Sequence, residues 1–199
     1  LNVAKTRREA KLMVSHGEIL VDGKIRRSDD FPVGLGDVIS IPSIDKNYRV
    51  LPSYKGLILH PIEKEEANFK LCRIEDKKIL DSGHIQLNLH DGSNIILKTS
   101  ETDASKEDYK TLDTLKLSLP ERQATGSLRI KEKAFVMITG GKNIGKHGKI
   151  VEIERAEGKK RRNALVTIED AQGNRYQTIM NFVFAVGETQ PLISLPEGA

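Results

Sequence analysis

The chain has 199 residues, 32 of them Lys or Arg and 28 Asp or Glu, for a net charge of +4; at 38% hydrophobic and 30% charged it excludes wholesale disorder. Its longest apolar run, Phe182 to Val186, falls far short of the ~18 residues a membrane helix needs. Aromatics at 5% with no Trp argue for small sheets built from Ile, Val and Leu and against a large pocketed enzyme.

The opening Leu1-Asn2-Val3-Ala4-Lys5 lacks an apolar stretch and a Met, so it reads as the trimmed start of a longer chain and not as a signal peptide. From Thr6 the pattern becomes helical. Thr6 stands at an N-cap position, Gly17 lies just past the end, and Ala10, Met13 and Val14 share one face while Arg7, Arg8 and Lys11 fall mainly on the other. Next, Glu18 to Val21 and Lys24 to Arg26 flank Asp22-Gly23, a two-residue hairpin turn, and Gly34 to Ile41 supplies a further strand. The prediction is a short helix laid on a small sheet.

Farther on, Cys72 sits in the run Phe69-Lys70-Leu71-Cys72 and reads as a core thiol; a lone cysteine makes neither an internal disulfide nor a cysteine-rich metal site. Ile85, Leu87 and Leu89 alternate with polar residues before His90-Asp91-Gly92-Ser93 turns the chain into Ile95-Ile96-Leu97. Thr99 to Lys110 reads as a loop, and Leu115, Leu117 and Leu119 before Pro120 as another strand. The last third predicts strands at Phe135 to Thr139, Lys149 to Glu154, Leu165 to Glu169, Tyr176 to Thr178 and Phe182 to Val186. Five short strands in about 60 residues suggest a small barrel.

Charge divides along the same lines. Residues 1–56 are net +3, residues 57–125 net −3 and residues 126–199 net +4. Two basic modules flanking an acidic one suit contact with a polyanion at both ends.

Gly140 and Gly145-Lys146 satisfy the G-x-x-x-x-G-K spacing of a phosphate-binding loop, but the next residue is His147 where Mg²⁺ binding needs Ser or Thr. A period-two strand then follows where a helix is required. The longer string Val136 to Val151 resembles instead the KOW motif of ribosomal and transcription-elongation proteins, with Gly148 between two apolar strands. In that reading Gly140, Gly141, Gly145 and Gly148 allow tight turns and close backbone approach, and Lys142, Asn143, Lys146, His147 and Lys149 meet phosphates. The basic run Lys159-Lys160-Arg161-Arg162 lies on a loop between two barrel strands, where four consecutive cations favour phosphate contact. Arg175 is a weaker candidate.

The segment from Thr6 to Lys24, closing with Gly36-Asp37-Val38-Ile39, resembles the S-four-type RNA-binding motif. In that family the basic helix face and the following turn dock on folded RNA, which points to Lys5, Arg7, Arg8, Lys11, Lys24, Arg26 and Arg27. Both motifs in this order, with Lys70-Leu71-Cys72 between them and Glu169 to Asn174 and Pro191 to Pro196 near the end, resemble the archaeal and eukaryotic small-subunit ribosomal protein S-four-e family. Members usually carry a basic N-terminal segment and a first helix that are missing here, and the stop at Ala199 without a long extension looks archaeal.

The resemblance implies a mainly β protein with a short N-terminal helix. Its parts are a partial S-four-type α/β RNA-binding module over residues 1–45, a small central β domain over 46–125, and a KOW-containing SH3-like β-barrel over 126–199. It implies a non-catalytic constituent of the cytoplasmic small subunit whose partners are small-subunit rRNA and neighbouring ribosomal proteins, with no membrane, cofactor or metal. The residues agree: His16, His60, His84, His90 and His147 show no metal-ligand spacing, and no nucleophile with a paired base stands out. The alternatives are an accessory part of an RNA-modifying enzyme and a KOW-type transcription factor.

Overall fold

The computed structural model describes residues 3–81, 83–97, 109–154 and 160–196, and within them one α-helix and three five-stranded antiparallel sheets. Helix α1 spans Arg7–His16. The Thr6 hydroxyl accepts from the Glu9 N–H at 3.2 Å, and the Gly17 and Glu18 N–H groups close the far end on the Val14 and Met13 carbonyls, with Gly17 at φ 80°. Ala10, Met13 and Val14 are half-buried and Arg7, Arg8 and Lys11 exposed, the division the helical spacing predicts.

Strands β1 (Leu20–Val21) and β2 (Lys24–Ile25) form the expected hairpin. Both turn residues are left-handed, Asp22 at φ 52° and Gly23 at φ 74°, which matches the twist of two paired strands. Then come β3 (Val38–Ile41), β4 (Lys46–Ser53) and β5 (Gly56–Ile62), in the order β2-β1-β3-β4-β5. This sheet runs across residue 45, where a boundary was expected.

The second sheet holds β6 (Phe69–Ile79), β7 (Ile85–Leu89), β8 (Asn94–Leu97), β9 (Thr114–Ser118) and β10 (Ala124–Leu128), in the order β10-β9-β6-β7-β8. The β7–β8 hairpin and β9 follow the alternation of the sequence. Most of the stretch expected as a loop, Thr99 to Lys110, lies outside the described residues. The third sheet holds β11 (Phe135–Ile138), β12 (His147–Glu154), β13 (Leu165–Glu169), β14 (Arg175–Ile179) and β15 (Val183–Gly187), in the order β14-β13-β12-β11-β15. All five strands fall where the last third of the sequence puts them.

The cores do not respect the three-part division. Leu51 of β4, Leu71 of β6 and Leu112 join the third sheet's Val136, Ile150, Val166 and Phe184 in one buried cluster, so the units pack on shared apolar surface. A second cluster inside the middle sheet gathers Ile74, Leu87, Leu115 and Cys72. Cys72 is fully buried, and burial pushes its thiol pKa up to about 12: it is the core thiol the sequence suggests.

Candidate nucleic-acid interface

The first basic surface is built where the helix end meets the hairpin. A Cβ placed on Gly17 would lie 2.9 Å from Ile25 Cγ2 and 3.4 Å from Arg27 Nε, so the helix C-terminus and the strand β2 exit touch. Lys5, Arg7 and Arg8 at the start of α1, and Lys24 and Arg27 in and after the hairpin, are exposed and make no ion pair among the described residues. Lys11 does: its Nζ lies 2.6 Å from Asp29 Oδ2, a contact that raises the lysine pKa and lowers that of the aspartate. Arg26 is half-buried, with its guanidinium 4.1 Å above the Phe31 ring.

The second surface is the β11–β12 connection. Gly141 and Gly145 are left-handed, at φ 80° and 85°, and fold the loop tightly. Gly140 and Gly148 allow the close approach expected of them, and it is made by the protein's own Phe182 ring and Glu169 backbone. A Cβ at Gly140 would meet Phe182 Cδ1 at 2.7 Å, and one at Gly148 would meet the Glu169 carbonyl oxygen at 2.1 Å. The protein's own packing demands both. Lys142 and Lys149 are exposed, but the Lys146 ammonium lies 6.0 Å from the Tyr176 ring and the Asn143 side chain donates to the Gln177 carbonyl at 3.2 Å. His147 is half-buried, and burial lowers its pKa, so at neutral pH it brings no charge to the loop.

The run expected as four phosphate-facing cations is not one. Lys159 lies outside the described residues, and Lys160 is exposed. Arg161 turns inward, donating to the Thr111 carbonyl at 2.5 Å and to the buried Asp113 carboxylate at 2.9 Å. Arg162 donates to the Glu75 carboxylate at 2.9 Å and to the Glu75 carbonyl. Both arginines clamp the third sheet to the second, because a carboxylate already in place satisfies the guanidinium that a solvated loop would leave for RNA. Arg175 likewise pairs with Glu169 at 2.9 Å, though in the open.

These clamps belong to a set of ionic ties that sequence reasoning missed. Lys70, with 1% of its side chain exposed, puts Nζ 2.9 Å from Asp22, 2.5 Å from Asp37 and 3.0 Å from Asp91. Arg122 adds contacts of 2.9 Å to Asp22 and 3.0 Å to Asp91. Burial alone would lower the Lys70 pKa; the carboxylates outweigh it and raise it. Asp91 likewise sits well below the usual carboxylate range, because Ser93 and Lys70 overcome its burial. Arg49, 1% exposed, donates to Glu66 Oε1 at 3.0 Å, and Glu66 Oε2 accepts from the Ser194 N–H and hydroxyl at 2.9 and 2.6 Å. Arg73 of β6 donates to the Asn181 carbonyl at 2.8 Å. The signal was a single lysine inside Phe69-Lys70-Leu71-Cys72: a cation in an apolar run must find carboxylates in the fold.

Among the described residues no group of His, Cys, Asp and Glu is placed to hold a metal ion, and no helix is long and apolar enough to cross a membrane.

The S4 domain matches residues 1–39 and the ribosomal family S4e matches residues 44–124. The small ribosomal subunit protein eS4 of Staphylothermus marinus is 48% identical over 201 residues, which cover 100% of this chain and 79% of that protein. The eS4 proteins of Desulfurococcus amylolyticus and Methanocaldococcus jannaschii are 46% and 44% identical, over 100% and 98% of this chain and 79% of each relative. The crystal structure of the 30S ribosomal protein S4e from Thermoplasma acidophilum superposes with a TM-score of 0.76 at 31% identity, covering 93% of this chain and 88% of that one.

Proposed function

This chain belongs to the ribosomal S4e family and is an RNA-binding structural constituent of the small ribosomal subunit, and we propose that it holds rRNA through two basic surfaces set at a fixed spacing by the buried ionic ties. The observation that carries the proposal is how the cations are sorted. Arg49, Lys70, Arg73, Arg122, Arg161 and Arg162 are committed to carboxylates or carbonyls inside the protein. Lys5, Arg7, Arg8, Lys24 and Arg27 on the first surface, and Lys142, Lys149 and Lys160 on the third sheet and its loops, remain outward. These eight are the phosphate contacts of the proposal. Lys11, Lys146, His147 and Arg175 take secondary places, since each is paired, stacked or neutral.

The role is architectural. A-form duplexes hide their base edges in a narrow major groove, so shape and charge do the recognising. The chain works in the cytoplasm on the small subunit, beside other ribosomal proteins. Residues 1–45, 46–125 and 126–199 serve as RNA module, spacer and second RNA module, although β4 and β5 extend the first sheet into the spacer.

The test is assembly. Small subunits lacking this protein are mixed with the chain and sedimented through sucrose. Co-sedimentation at one copy per subunit is expected, together with its loss when Arg7, Arg8, Lys24 and Arg27 are replaced by Gln. Undiminished co-sedimentation of that variant would remove the first surface from the proposal.

A further inference from the structure

We propose that Asp22 and Asp91 are two sites of spontaneous isoaspartate formation, and that Lys70 and Arg122, by holding both carboxylates, keep them from reacting in the folded protein. The sequence holds two Asp-Gly pairs, Asp22-Gly23 and Asp91-Gly92, and no Asn-Gly. Asp-Gly is the aspartyl pair most open to this reaction, because glycine has no side chain to hinder attack by its own nitrogen. Neither glycine is free to be exchanged for a hindering residue. Gly23 stands at φ 74° in the β1–β2 turn, where a Cβ would lie 3.0 Å from Pro120 Cβ, and Gly92 stands at φ 80° between β7 and β8. Protection therefore has to act on the carboxylates.

In the reaction the glycine nitrogen attacks Cγ of the aspartate before it, and a C–N bond forms as one carboxyl oxygen leaves. That oxygen departs as water, with the carboxyl proton and the amide proton, and a five-membered succinimide remains. Water then adds at the former backbone carbonyl, the bond from that carbon to nitrogen breaks, and the main chain now runs through the side-chain carbon. One water is lost and one gained, with no oxidant or co-reactant. The first step needs a protonated carboxyl that is free to turn towards the nitrogen.

The fold withholds both conditions. Asp22 Oδ1 accepts from the Val38 N–H at 3.0 Å, and Asp91 Oδ1 from the Ser93 N–H at 3.0 Å and the Ser93 hydroxyl at 2.6 Å. The Oδ2 atoms of both share Lys70 Nζ and Arg122 Nη2, at 2.9 Å for Asp22 and 3.0 Å for Asp91. Every oxygen is held, and two cations favour the ionised form, from which no oxygen leaves as water. Burial alone would raise the Asp91 pKa, but Ser93 and Lys70 keep it below the usual carboxylate range. The Gly92 N–H is itself donated to the Leu89 carbonyl at 3.0 Å. The two Asp-Gly turns of the chain, far apart in sequence, thus rest on one ammonium. An isoaspartate at either turn lengthens the main chain by one carbon and moves the carboxylate off Lys70, so the tie opens and the other turn loses part of its protection.

The experiment holds the full chain at neutral pH for several weeks in four forms: unaltered, Lys70→Met, Arg122→Gln and Gly148→Ala. The last disturbs β12 against β13 and leaves the contacts of Lys70 and Arg122 in place. Isoaspartate is counted by enzymatic carboxyl methylation and located by peptide mass spectrometry, and the unaltered chain unfolded in guanidinium gives the unprotected rate. The folded unaltered chain should form isoaspartate at Asp22 and Asp91 at least about tenfold more slowly than the unfolded one, since each unit by which a carboxyl's pKa falls cuts its neutral fraction about tenfold. Lys70→Met should speed the reaction at both sites, and Arg122→Gln should do so to a smaller extent. Arg122 is partly exposed and its loss leaves Lys70 in place, so that variant, checked as folded by circular dichroism, decides the matter even where Lys70→Met unfolds. Gly148→Ala should react no faster than the unaltered chain.

Equal rates in the folded and unfolded unaltered chain would overturn the proposal. A rate in Arg122→Gln no higher than in the unaltered chain would overturn it as well. Equal acceleration in Gly148→Ala and Arg122→Gln would also overturn it, because the damage would then follow general loosening of the fold and not the missing cation.

Discussion

Replacing Lys70 with Met removes the ammonium that three carboxylates share at 2.5, 2.9 and 3.0 Å. Asp22, Asp37 and Asp91 would then face one another with only Arg122 between two of them. Breaking a buried ion pair by removing one partner costs about 3–5 kcal/mol, and the loss here belongs at the upper end because three partners are stranded at once. That is a large share of the ~5–15 kcal/mol that holds a folded protein together. The loss has a signature in pH. Asp91 is held below its ordinary pKa of 3.8, so its contribution is present above that value and is lost as pH falls through the lower folded value. Lys70 is raised above 10.5, so its contribution is full below 10.5 and lost only in strong alkali. Between pH 7 and pH 4 these groups leave the unaltered chain flat. In the variant the three carboxylates repel one another with no lysine among them, and acid relieves that repulsion, so the variant regains stability as the solution is acidified. Urea unfolding followed by circular dichroism at pH 7 and pH 4 reads both effects. A loss below ~1 kcal/mol, or one of equal size at the two pH values, would refute the reasoning.

Arg161→Gln strands the buried Asp113 carboxylate and should cost about 1–3 kcal/mol in the same assay, with the salt dependence of RNA binding unchanged; a shallower salt slope would return Arg161 to the phosphate contacts. Gly148→Ala places a methyl 2.1 Å from the Glu169 carbonyl oxygen, so β12 and β13 must part; a thermal melt should show a loss of at least about 1–3 kcal/mol, and an unchanged melting temperature would contradict the packing reason for this glycine. Arg7→Gln with Arg8→Gln should leave the melt unchanged and reduce the slope of log K against log salt by about 1–2, since each phosphate contact contributes about 0.7–0.9; an unchanged slope would remove these two side chains from the interface. The Asp170 carboxylate accepts from the side chains of Asn174 and Tyr176 and from the Gln172 N–H, which hold its pKa down to about 2. A carboxyl titration by NMR should find it still ionised at pH 3, with the turn's stabilisation present above 3.8 and lost towards pH 2; a midpoint near 3.8 would contradict those hydrogen bonds.

Much of the fold was legible because local chemistry decides it. Thr6 and Gly17 bound the helix, Asp22-Gly23 makes the hairpin, and the alternation of Ile85, Leu87 and Leu89 marks a half-buried strand. Strands β4 and β6 carry no such alternation. From Tyr48 to Ser53 in β4 and from Lys70 to Cys72 in β6 successive residues are buried on both faces, and Arg49 and Lys70 within them look like surface residues until their carboxylates are seen. The candidate site divides in the same way. The exposed helix cations could be read from the 3.6-residue period, whereas the destinations of Arg161 and Arg162 depend on Asp113 and Glu75, 48 and 87 residues distant in the chain. No short-range pattern encodes a contact of that span. Charge counting therefore located the basic modules and could not tell a phosphate contact from an internal clamp.

The central claim is that outward cations on two fixed surfaces bind small-subunit rRNA. The most direct measurement is the affinity of the full chain for small-subunit rRNA fragments and for a generic duplex of equal length, over a salt series. The account predicts tighter binding to the rRNA fragments, a steep salt slope for both, and a slope that falls when Arg7, Arg8, Lys142 and Lys149 are replaced together by Gln. Equal affinity for both RNAs, or a slope untouched by those replacements, would contradict it.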